Sequence, residues 1–156
     1  MAKAYYSTVF EARADDVWSI VRDFNNYPVW VDGAGESMIE AGKSGDTIGA
    51  VRKVFYQGRS IRQRLLAQSD VERTQTYEFV GPVYRPIIDF QATIRVTPIV
   101  DGDRAFVEWW ATFDCAIDQR GEQTVSLETG FATWLGSLRR AVAGSKAVGM
   151  PANVAN

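Results

Sequence analysis

Hydrophobic and polar residues alternate at the start of the chain, and the spacing changes to that of a helix directly afterwards. Residues 4–12 (AYYSTVFEA) alternate in the manner of a β-strand. Asp15 and Asp16 are acidic residues suited to the first turn of the helix that follows. The apolar positions of this helix are Val17, Ile20, Val21 and Phe24. The Tyr27-Pro28 pair ends the helix, because a residue before proline avoids the helical conformation. An irregular loop or a second short helix is expected after it.

From Glu36 onward, turn signals recur at the spacing of β-strands. They are Gly42 to Gly45, Gln57-Gly58, Ser69-Asp70, Gly81-Pro82 and Asp101-Gly102. About five or six strands fall between these turns. The connections are too short for crossovers, so neighbouring strands are expected to be antiparallel. Together with the N-terminal strand, the pattern predicts a curved antiparallel sheet of about seven strands.

The Gln57-Gly58 turn sets the register of the central hairpin. If it is a two-residue turn, Tyr56 lies opposite Arg59 and Arg52 lies opposite Gln63. One face of the hairpin then carries Arg52, Val54, Tyr56, Ile61, Gln63 and Leu65, and the other carries Lys53, Arg62 and Arg64. A slip of one residue would reverse the two faces. The inward set continues with Tyr77, Phe79, Phe90, Ala92, Ile94, Val96, Val107, Trp109, Ala111 and Phe113.

A long helix is predicted after the last strand, from about Thr124 to Lys146. Its apolar stripe is Leu127, Phe131, Trp134, Leu135, Leu138 and Val142. A curved sheet closed by one long helix encloses a hollow, and the inward face of this sheet carries more polar groups than a core needs. The fold class is therefore α+β, with a single ligand-binding domain over residues 1–148 and a disordered tail over 149–156.

Composition and charge argue against several classes of function. Seventeen basic and nineteen acidic side chains give a net charge of −2, which offers no overall attraction to nucleic acid or to an anionic membrane. Arg59, Arg62 and Arg64 lie close together, and alternating exposed arginines on a strand are favoured over a phosphate-binding patch. No segment has the pattern of a signal peptide or a membrane span, so the expected location is the cytoplasm. Cys115 is the only cysteine and histidine does not occur, and the sequence predicts neither a metal nor a cofactor.

Three segments in order carry a family resemblance. They are DDVWSIVRDFNNYPVW, with a Val-Trp pair and an aromatic loop; GAVRKVFYQG followed by IRQRLL, with a Gly-x-x-Arg start; and VEWWATFD, with a Trp and a Phe four residues apart. Over residues 4–146 the chain resembles the START and birch-pollen-allergen superfamily (SRPBCC), especially its bacterial polyketide cyclase/dehydrase-like branch. The resemblance implies the helix-grip fold, in which a curved sheet wraps around a long C-terminal helix, with two short helices after the first strand.

The chain is also similar, more distantly, to the plant abscisic-acid receptors. VGPVYRPIIDF aligns with their ligand-latching loop, and Arg85 falls on the latch arginine. However, the hairpin reads YQGRS in place of their Ser-Gly-Leu-Pro gate, Tyr84 stands at the latch histidine, and Asp32 lies close to the position of their ligand-pairing lysine. The resemblance therefore implies a cavity with a movable rim, and hormone recognition is not carried over. The 81–88 loop is either a lid or an ordinary hairpin connection.

The predicted ligand is small and mostly hydrophobic, of lipid, polyketide or isoprenoid type. Apolar walls with a few placed polar groups are typical of small-molecule sites. The residues predicted to bind it are Trp30, Arg52, Val54, Tyr56, Ile61, Gln63, Leu65, Tyr77, Phe79, Arg85, Phe90, Ala92, Trp109, Phe113, Phe131, Trp134, Leu135 and Leu138. Plain core packing is the alternative for each aromatic residue taken singly. The ligand is expected to enter between the Gln57-Gly58 turn, the 81–88 loop and the final helix.

Arg52 and Gln63 form the most informative polar pair. Many relatives carry Glu at the position of Gln63, which would neutralise the arginine, whereas Gln does not. A buried Arg52 therefore calls for a carboxylate elsewhere in the cavity, or for an acidic or carbonyl end of the ligand close to it. The alternative is that Arg52 reaches solvent or pairs with Glu40, Glu78 or Glu108.

Two other functions stay open. A polyketide cyclase/dehydrase-like lyase would use Arg52 to polarise a carbonyl and Tyr56 or Tyr77 to donate a proton. Loss of turnover but not of binding in Tyr56→Phe or Tyr77→Phe would favour it. An interaction module with a filled core would instead work through Phe106 and Trp110, which suit a homodimer interface. A cavity on the order of several hundred Å³ favours the first two functions, and a collapsed interior favours the third.

Overall fold

Residues 1–149, which the computed structural model describes, form one sheet and three α-helices in the order that the sequence pattern predicts. The strands are β1 (Ala2–Phe10), β2 (Ala34–Ile39), β3 (Val51–Tyr56), β4 (Arg59–Ser69), β5 (Thr74–Phe79), β6 (Ile88–Ile99) and β7 (Arg104–Asp114). The helices are α1 (Ala14–Val21), α2 (Tyr27–Trp30) and α3 (Arg120–Gly149), with short 3-10 turns at Glu40–Gly42 and Ile117–Gln119.

The seven strands pair antiparallel in the order β1-β7-β6-β5-β4-β3-β2. The pairing register shifts within β2–β3, β4–β5 and β6–β7, and such bulges bend and twist a sheet. The curved sheet closes on α3, where Leu135 and Leu138 are fully buried. The predicted helix-grip fold, and with it the α+β class, is confirmed.

The register predicted for the central hairpin is also confirmed. Tyr56 pairs with Arg59, and Arg52 pairs with Gln63. The φ angles of Gln57 and Gly58 are 50° and 76°, and a two-residue turn with two positive φ values matches the twist of antiparallel strands. Because the register holds, alternate residues of β3 and β4 point toward α3 as predicted.

The ends of three elements differ from the prediction. Helix α1 ends at Val21, so Phe24 lies beyond it, and Tyr27 and Pro28 begin α2 instead of ending α1. Helix α3 begins at Arg120, whereas the pattern predicts about Thr124, because its first turn is polar and shows no apolar period. Strand β1 covers Ala2–Phe10, since its backbone pairs with β7 from Ala2 onward. Residues 150–156 of the predicted tail lie outside the described residues. None of the described helices is long and apolar enough to cross a membrane.

Candidate functional site

An apolar cavity of about 130 Å³ lies between the sheet, α2 and α3. The predicted residues that line it are Val54, Tyr56, Ile61, Gln63, Tyr77, Phe79, Arg85, Phe90, Trp109, Phe131 and Trp134. The lining residues that the sequence analysis missed are Tyr27, Val31, Ala34 and Leu127. Leu127 belongs to the apolar stripe of α3 and Tyr27 to the aromatic loop, so both carried a signal. Val31 caps the end of α2, and Ala34 begins β2 beside a break in its pairing register, so neither carried a signal.

The other predicted residues are buried beside the cavity and do not line it. They are Trp30, Arg52, Leu65, Ala92, Phe113, Leu135 and Leu138. Trp30, for example, packs behind the lining with its ring 5.8 Å from that of Trp109. Strand alternation identifies the inward face along a whole strand, whereas the cavity occupies only part of that face. The sequence pattern therefore does not separate lining residues from those packed above or below them.

Trp109 forms the centre of the cavity wall. Its ring stacks on Phe131 with centroids 4.9 Å apart, and it lies 5.6 Å from the ring of Trp134. Trp134 lies directly over Gly130, where a Cβ atom would stand 2.9 Å from the indole. The Trp134 Nε1 donates to the Tyr56 hydroxyl at 3.0 Å. Because that oxygen accepts from Trp134, the proton of Tyr56 is left to donate to a ligand.

The polar end of the cavity, which we call the floor, is formed by Tyr27, Gln63 and Tyr77. Arg52 lies behind this floor. Its side chain is 0 % exposed. Its Nε donates to Gln63 Oε1 at 2.7 Å, and its Nη1 donates to the carbonyl oxygen of Phe24 at 2.9 Å. The guanidinium lies 3.8 Å from the ring centre of Phe24, 3.4 Å from that of Tyr27 and 5.3 Å from that of Tyr77. Arg52 therefore has two hydrogen bonds and three cation–π contacts, whereas a buried arginine usually has a counter-ion.

The expectation that Arg52 reaches solvent or pairs with a glutamate is wrong. The three glutamates pair elsewhere, as Glu40–Arg62, Glu78–Arg64 and Glu108–Arg95. These glutamates lie on the outer face of the sheet, whereas Arg52 points inward, so no carboxylate of the described residues pairs with it. Burial lowers the pKa of Arg52, and the hydroxyls of Tyr27 and Tyr77 oppose this shift. Its Nη2 makes no hydrogen bond within residues 1–149.

Gln63 presents a hydrogen-bond donor to the cavity. An arginine only donates, so the contact with Arg52 fixes Oε1 of Gln63 toward the guanidinium and Nε2 away from it. Gln63 is 6 % exposed and lines the cavity, so its Nε2 is left to donate there. The Nε1 of Trp109 is buried and makes no hydrogen bond within residues 1–149, but it lies close enough to the Tyr77 hydroxyl to oppose the rise in the pKa of Tyr77. The Gln63 amide is the group suited to an oxygen that accepts hydrogen bonds.

Tyr77 adds a hydroxyl to the floor. Burial raises the pKa of Tyr77 well above its ordinary value, and the neighbouring Tyr27 hydroxyl adds to this increase. The charge of Arg52 and the indole N–H of Trp109 act in the opposite direction. Because the pKa is raised, the hydroxyl keeps its proton at physiological pH. Tyr77 is therefore suited to donate a hydrogen bond and not to act as a base.

A groove of about 440 Å³ adjoins the cavity. The residues that line both are Tyr56, Ile61, Phe79 and Arg85. The rest of the groove is lined by Gln57 and Arg59, by the 81–88 loop and by the first turns of α3. The sequence predicts the entrance between these same elements. Arg85 Nη1 donates to Ser126 Oγ at 2.7 Å and so ties the loop to the helix. The role of this loop as a lid stays a prediction.

Phe106 and Trp110 lie on the outer face of the sheet and are half-buried. The Trp110 ring is covered by the guanidinium of Arg95 at 5.5 Å and the ammonium of Lys3 at 5.8 Å. A homodimer through this face stays a prediction. In the part of the chain that the structure describes, no group of three or more cysteine, aspartate or glutamate side chains is placed to hold a metal ion.

Comparison with known proteins places the chain among helix-grip proteins. A family model described as polyketide cyclase / dehydrase and lipid transport matches residues 1–147. None of the curated proteins matches the sequence. A solved structure from Thermobifida fusca is 28 % identical, with a TM-score of 0.80 over 91 % of this chain and 93 % of that one.

Two more distant structures share the fold. The di-domain ARO/CYC BexL is 14 % identical, with a TM-score of 0.78 over 92 % of this chain and 47 % of BexL. A norcoclaurine synthase from Thalictrum flavum, solved with a transition-state analogue, is 14 % identical, with a TM-score of 0.69 over 92 % of this chain and 95 % of that one. Identities this low show only a common fold. The chemistry of this site has to be argued from its own residues.

Proposed function

We propose that this chain, which belongs to the polyketide cyclase/dehydrase and lipid transport family, binds a small, mostly apolar ligand with a hydrogen-bond-accepting oxygen at its buried end. The observation that carries this proposal is the floor of the cavity. Gln63 presents its amide N–H there, because its Oε1 accepts from Arg52, and the protonated hydroxyl of Tyr77 is a second donor. Leaving such donors unpaired in a dry site is unfavourable, so a ligand oxygen that accepts from them stabilises the complex.

The remaining walls select for apolar surface. Phe90, Phe131 and Trp134 face the cavity together with Val54 and Leu127. Aromatic and aliphatic walls of this kind stabilise a bound ligand chiefly by removing its apolar area from water. The cavity of about 130 Å³ is smaller than the volume, on the order of several hundred Å³, expected of a ligand-binding protein. It adjoins a groove of about 440 Å³, and together they argue against an interaction module with a collapsed core. A lipid, polyketide or isoprenoid chain ending in a carbonyl or carboxylate meets both requirements.

The uncompensated charge of Arg52 strengthens the preference for an oxygen at the floor. Arg52 does not line the cavity, but it holds Gln63 in the orientation that presents Nε2. A positive charge in a region of low dielectric constant favours negative partial charge close by. A carbonyl oxygen or a carboxylate is therefore preferred over a hydroxyl group, which needs an acceptor for its own proton.

A second function, that of a cyclase or dehydrase, is favoured by the hydroxyls of Tyr56 and Tyr77. Both line the cavity, and both retain a proton to donate. A substrate carbonyl that accepts hydrogen bonds from these hydroxyls and from Gln63 would be polarised. It would then be more readily attacked by a carbanion of the same substrate molecule. The family description and the likeness to an ARO/CYC protein support this alternative. Binding is common to both functions, and it is the step that the following experiment tests.

Filling the cavity from α3 is expected to abolish binding. The probe is phenylnaphthylamine, an uncharged apolar dye that fluoresces when it leaves water. In Leu127→Trp the larger side chain occupies space inside the cavity of about 130 Å³, and we expect the affinity for the dye to fall about tenfold or more. Fluorescence titration gives the dissociation constant, and circular dichroism checks that the variant is folded.

The matched control is Val125→Trp on the same helix. Val125 is 63 % exposed, so the same new side chain points into water and should leave the affinity for phenylnaphthylamine unchanged. Equal affinities for the wild type and Leu127→Trp would overturn the proposed site. Failure of the folded wild type to bind the dye would overturn the proposed function.

A further inference from the structure

We infer that the groove beside the cavity binds an anionic group, so that the ligand is an amphiphile with its apolar part in the cavity and its anionic end between Arg59 and Arg85. The inference rests on the proposed function, to which it adds a second subsite and a class of charge. It follows from the size of the cavity and from the pairing of the arginines in the groove.

The cavity alone is small for a complete ligand. Its volume of about 130 Å³ lies below the range of about 300–1,000 Å³ that is typical of sites for drug-sized molecules. The adjoining groove has a volume of about 440 Å³ and shares four lining residues with the cavity. A ligand larger than a fragment therefore extends past these shared side chains and leaves its outer end in the groove.

The outer end meets two cations that have no counter-ion. Arg59 and Arg85 both line the groove, and neither forms an ion pair with any described residue. Arg59 lies 4.9 Å from the ring centre of Tyr84, and Arg85 donates to the neutral hydroxyl of Ser126. Glu122 also lines the groove and pairs with neither arginine, which leaves the groove with a net positive charge.

Other arginines of the same strand behave differently. Arg62 and Arg64 of β4 each donate to a glutamate at 2.8 Å, namely Glu40 and Glu78. These two arginines of β4 have counter-ions, whereas the two arginines of the groove do not. Arg85 is half-buried, and burial lowers its pKa, so an anion that pairs with it would offset a cost of folding. A carboxylate or a phosphate group has the required charge and the oxygen acceptors.

The test uses two probes with the same aromatic body. Anilinonaphthalene sulfonate differs from phenylnaphthylamine by an anionic sulfonate group. We expect the wild type to bind the sulfonate about tenfold more tightly than the uncharged probe, as for a charge-assisted contact. This advantage should vanish at about 1 M salt, where the Debye length is about 3 Å. Equal affinities at low salt would overturn the inference and leave the proposed function standing, whereas failure of both probes would overturn both.

Variants of Arg59 and Arg85 test whether these two arginines cause the tighter binding of the sulfonate probe. In Arg59→Gln, at the exposed start of β4, and in Arg85→Gln, the affinity ratio of the sulfonate to the uncharged probe should fall from about ten to about one. Arg13→Gln, which removes a surface arginine paired with Asp103, is the matched control and should keep the wild-type ratio. A ratio that stays at the wild-type value in both groove variants would overturn the assignment.

Competition separates the two natural sources of negative charge. Decanoate, decyl phosphate and decanol share one apolar chain and differ in the head group. Displacement of the sulfonate probe by decanoate indicates a carboxylate ligand, and stronger displacement by decyl phosphate indicates a phosphate ligand. Either result supports the inference if decanol is weaker and if its disadvantage disappears in Arg59→Gln and Arg85→Gln, because a carboxylate bound at the floor alone would not depend on these two arginines. Equal displacement by all three compounds would contradict it.

Discussion

Replacing Gln63 by glutamate is expected to raise the free energy of unfolding by about 1–2 kcal/mol. The new carboxylate would accept from Arg52 Nε at the position where Gln63 Oε1 now accepts at 2.7 Å. Arg52 is fully buried in the wild type, so the cost of desolvating its charge is already included in the wild-type stability. The substitution adds the missing counter-ion without burying this charge anew. Urea denaturation measures the change as a higher midpoint at an unchanged slope.

The matched control is Gln75→Glu, at another buried glutamine. Gln75 is 3 % exposed, and its Nε2 donates to the carbonyl oxygen of Val21 at 3.2 Å and to Gln68 Oε1 at 2.9 Å. A carboxylate there would face oxygen atoms without a cation, so we expect a loss of about 3 kcal/mol or more. A comparable loss of stability in Gln63→Glu would show that Arg52 does not lack a counter-ion.

The same substitution should weaken ligand binding. In Gln63→Glu the floor would present a carboxylate oxygen in place of the amide N–H, so a ligand carbonyl would meet an acceptor where it now meets a donor. We expect the affinity for acetylnaphthalene to fall about tenfold or more. The affinity for ethylnaphthalene, which has no oxygen, should change much less. A Gln63→Glu variant that is more stable but binds more weakly would show that the Arg52–Gln63 pair serves function at the expense of stability.

Truncating Arg52 to alanine is expected to lower the free energy of unfolding by about 3–5 kcal/mol. The substitution leaves a void between the rings of Phe24 and Tyr27, which now lie 3.8 and 3.4 Å from the guanidinium. It also removes the donors to Gln63 Oε1 and to the Phe24 carbonyl. The change is measured by urea denaturation with the wild type alongside.

Two further variants separate packing from charge. Arg52→Met fills much of the void with an apolar side chain and removes the charge, so it should recover about half of the loss. Arg64→Ala removes a half-exposed arginine that pairs with Glu78 and should cost no more than about 1 kcal/mol. A cost for Arg52→Ala as small as that for Arg64→Ala would contradict the burial of Arg52 behind the floor.

The architecture could be predicted from the sequence because it depends on local rules. The Gln57-Gly58 turn fixes two positive φ angles, and these fix which residue of β4 lies opposite Arg52. The stripe of α3 likewise identifies its buried face, on which Leu135 and Leu138 are fully buried. In both cases one backbone geometry decides many side-chain positions at once.

The details of the site could not be predicted in the same way. Strand pairing places Arg52 opposite Gln63, but it does not say that the Phe24 carbonyl and the Tyr27 ring complete the environment of the guanidinium. Those contacts come from the loop between α1 and α2, whose conformation follows no period. The extent of the cavity depends on the same loop and on Val31. Because the sequence pattern does not give the conformation of this loop, the predicted set also included residues that pack beside the cavity.

The donor groups at the floor are tested most directly by an NMR titration of the wild-type protein with acetylnaphthalene and with ethylnaphthalene. If the ketone oxygen accepts at the floor, the signals of the Gln63 side-chain amide should move downfield with acetylnaphthalene and much less with ethylnaphthalene. The Trp18 indole, which already donates to Asp70 at 2.8 Å, should not move with either compound. Binding of both compounds with the same shifts at Gln63, or with none, would contradict the account.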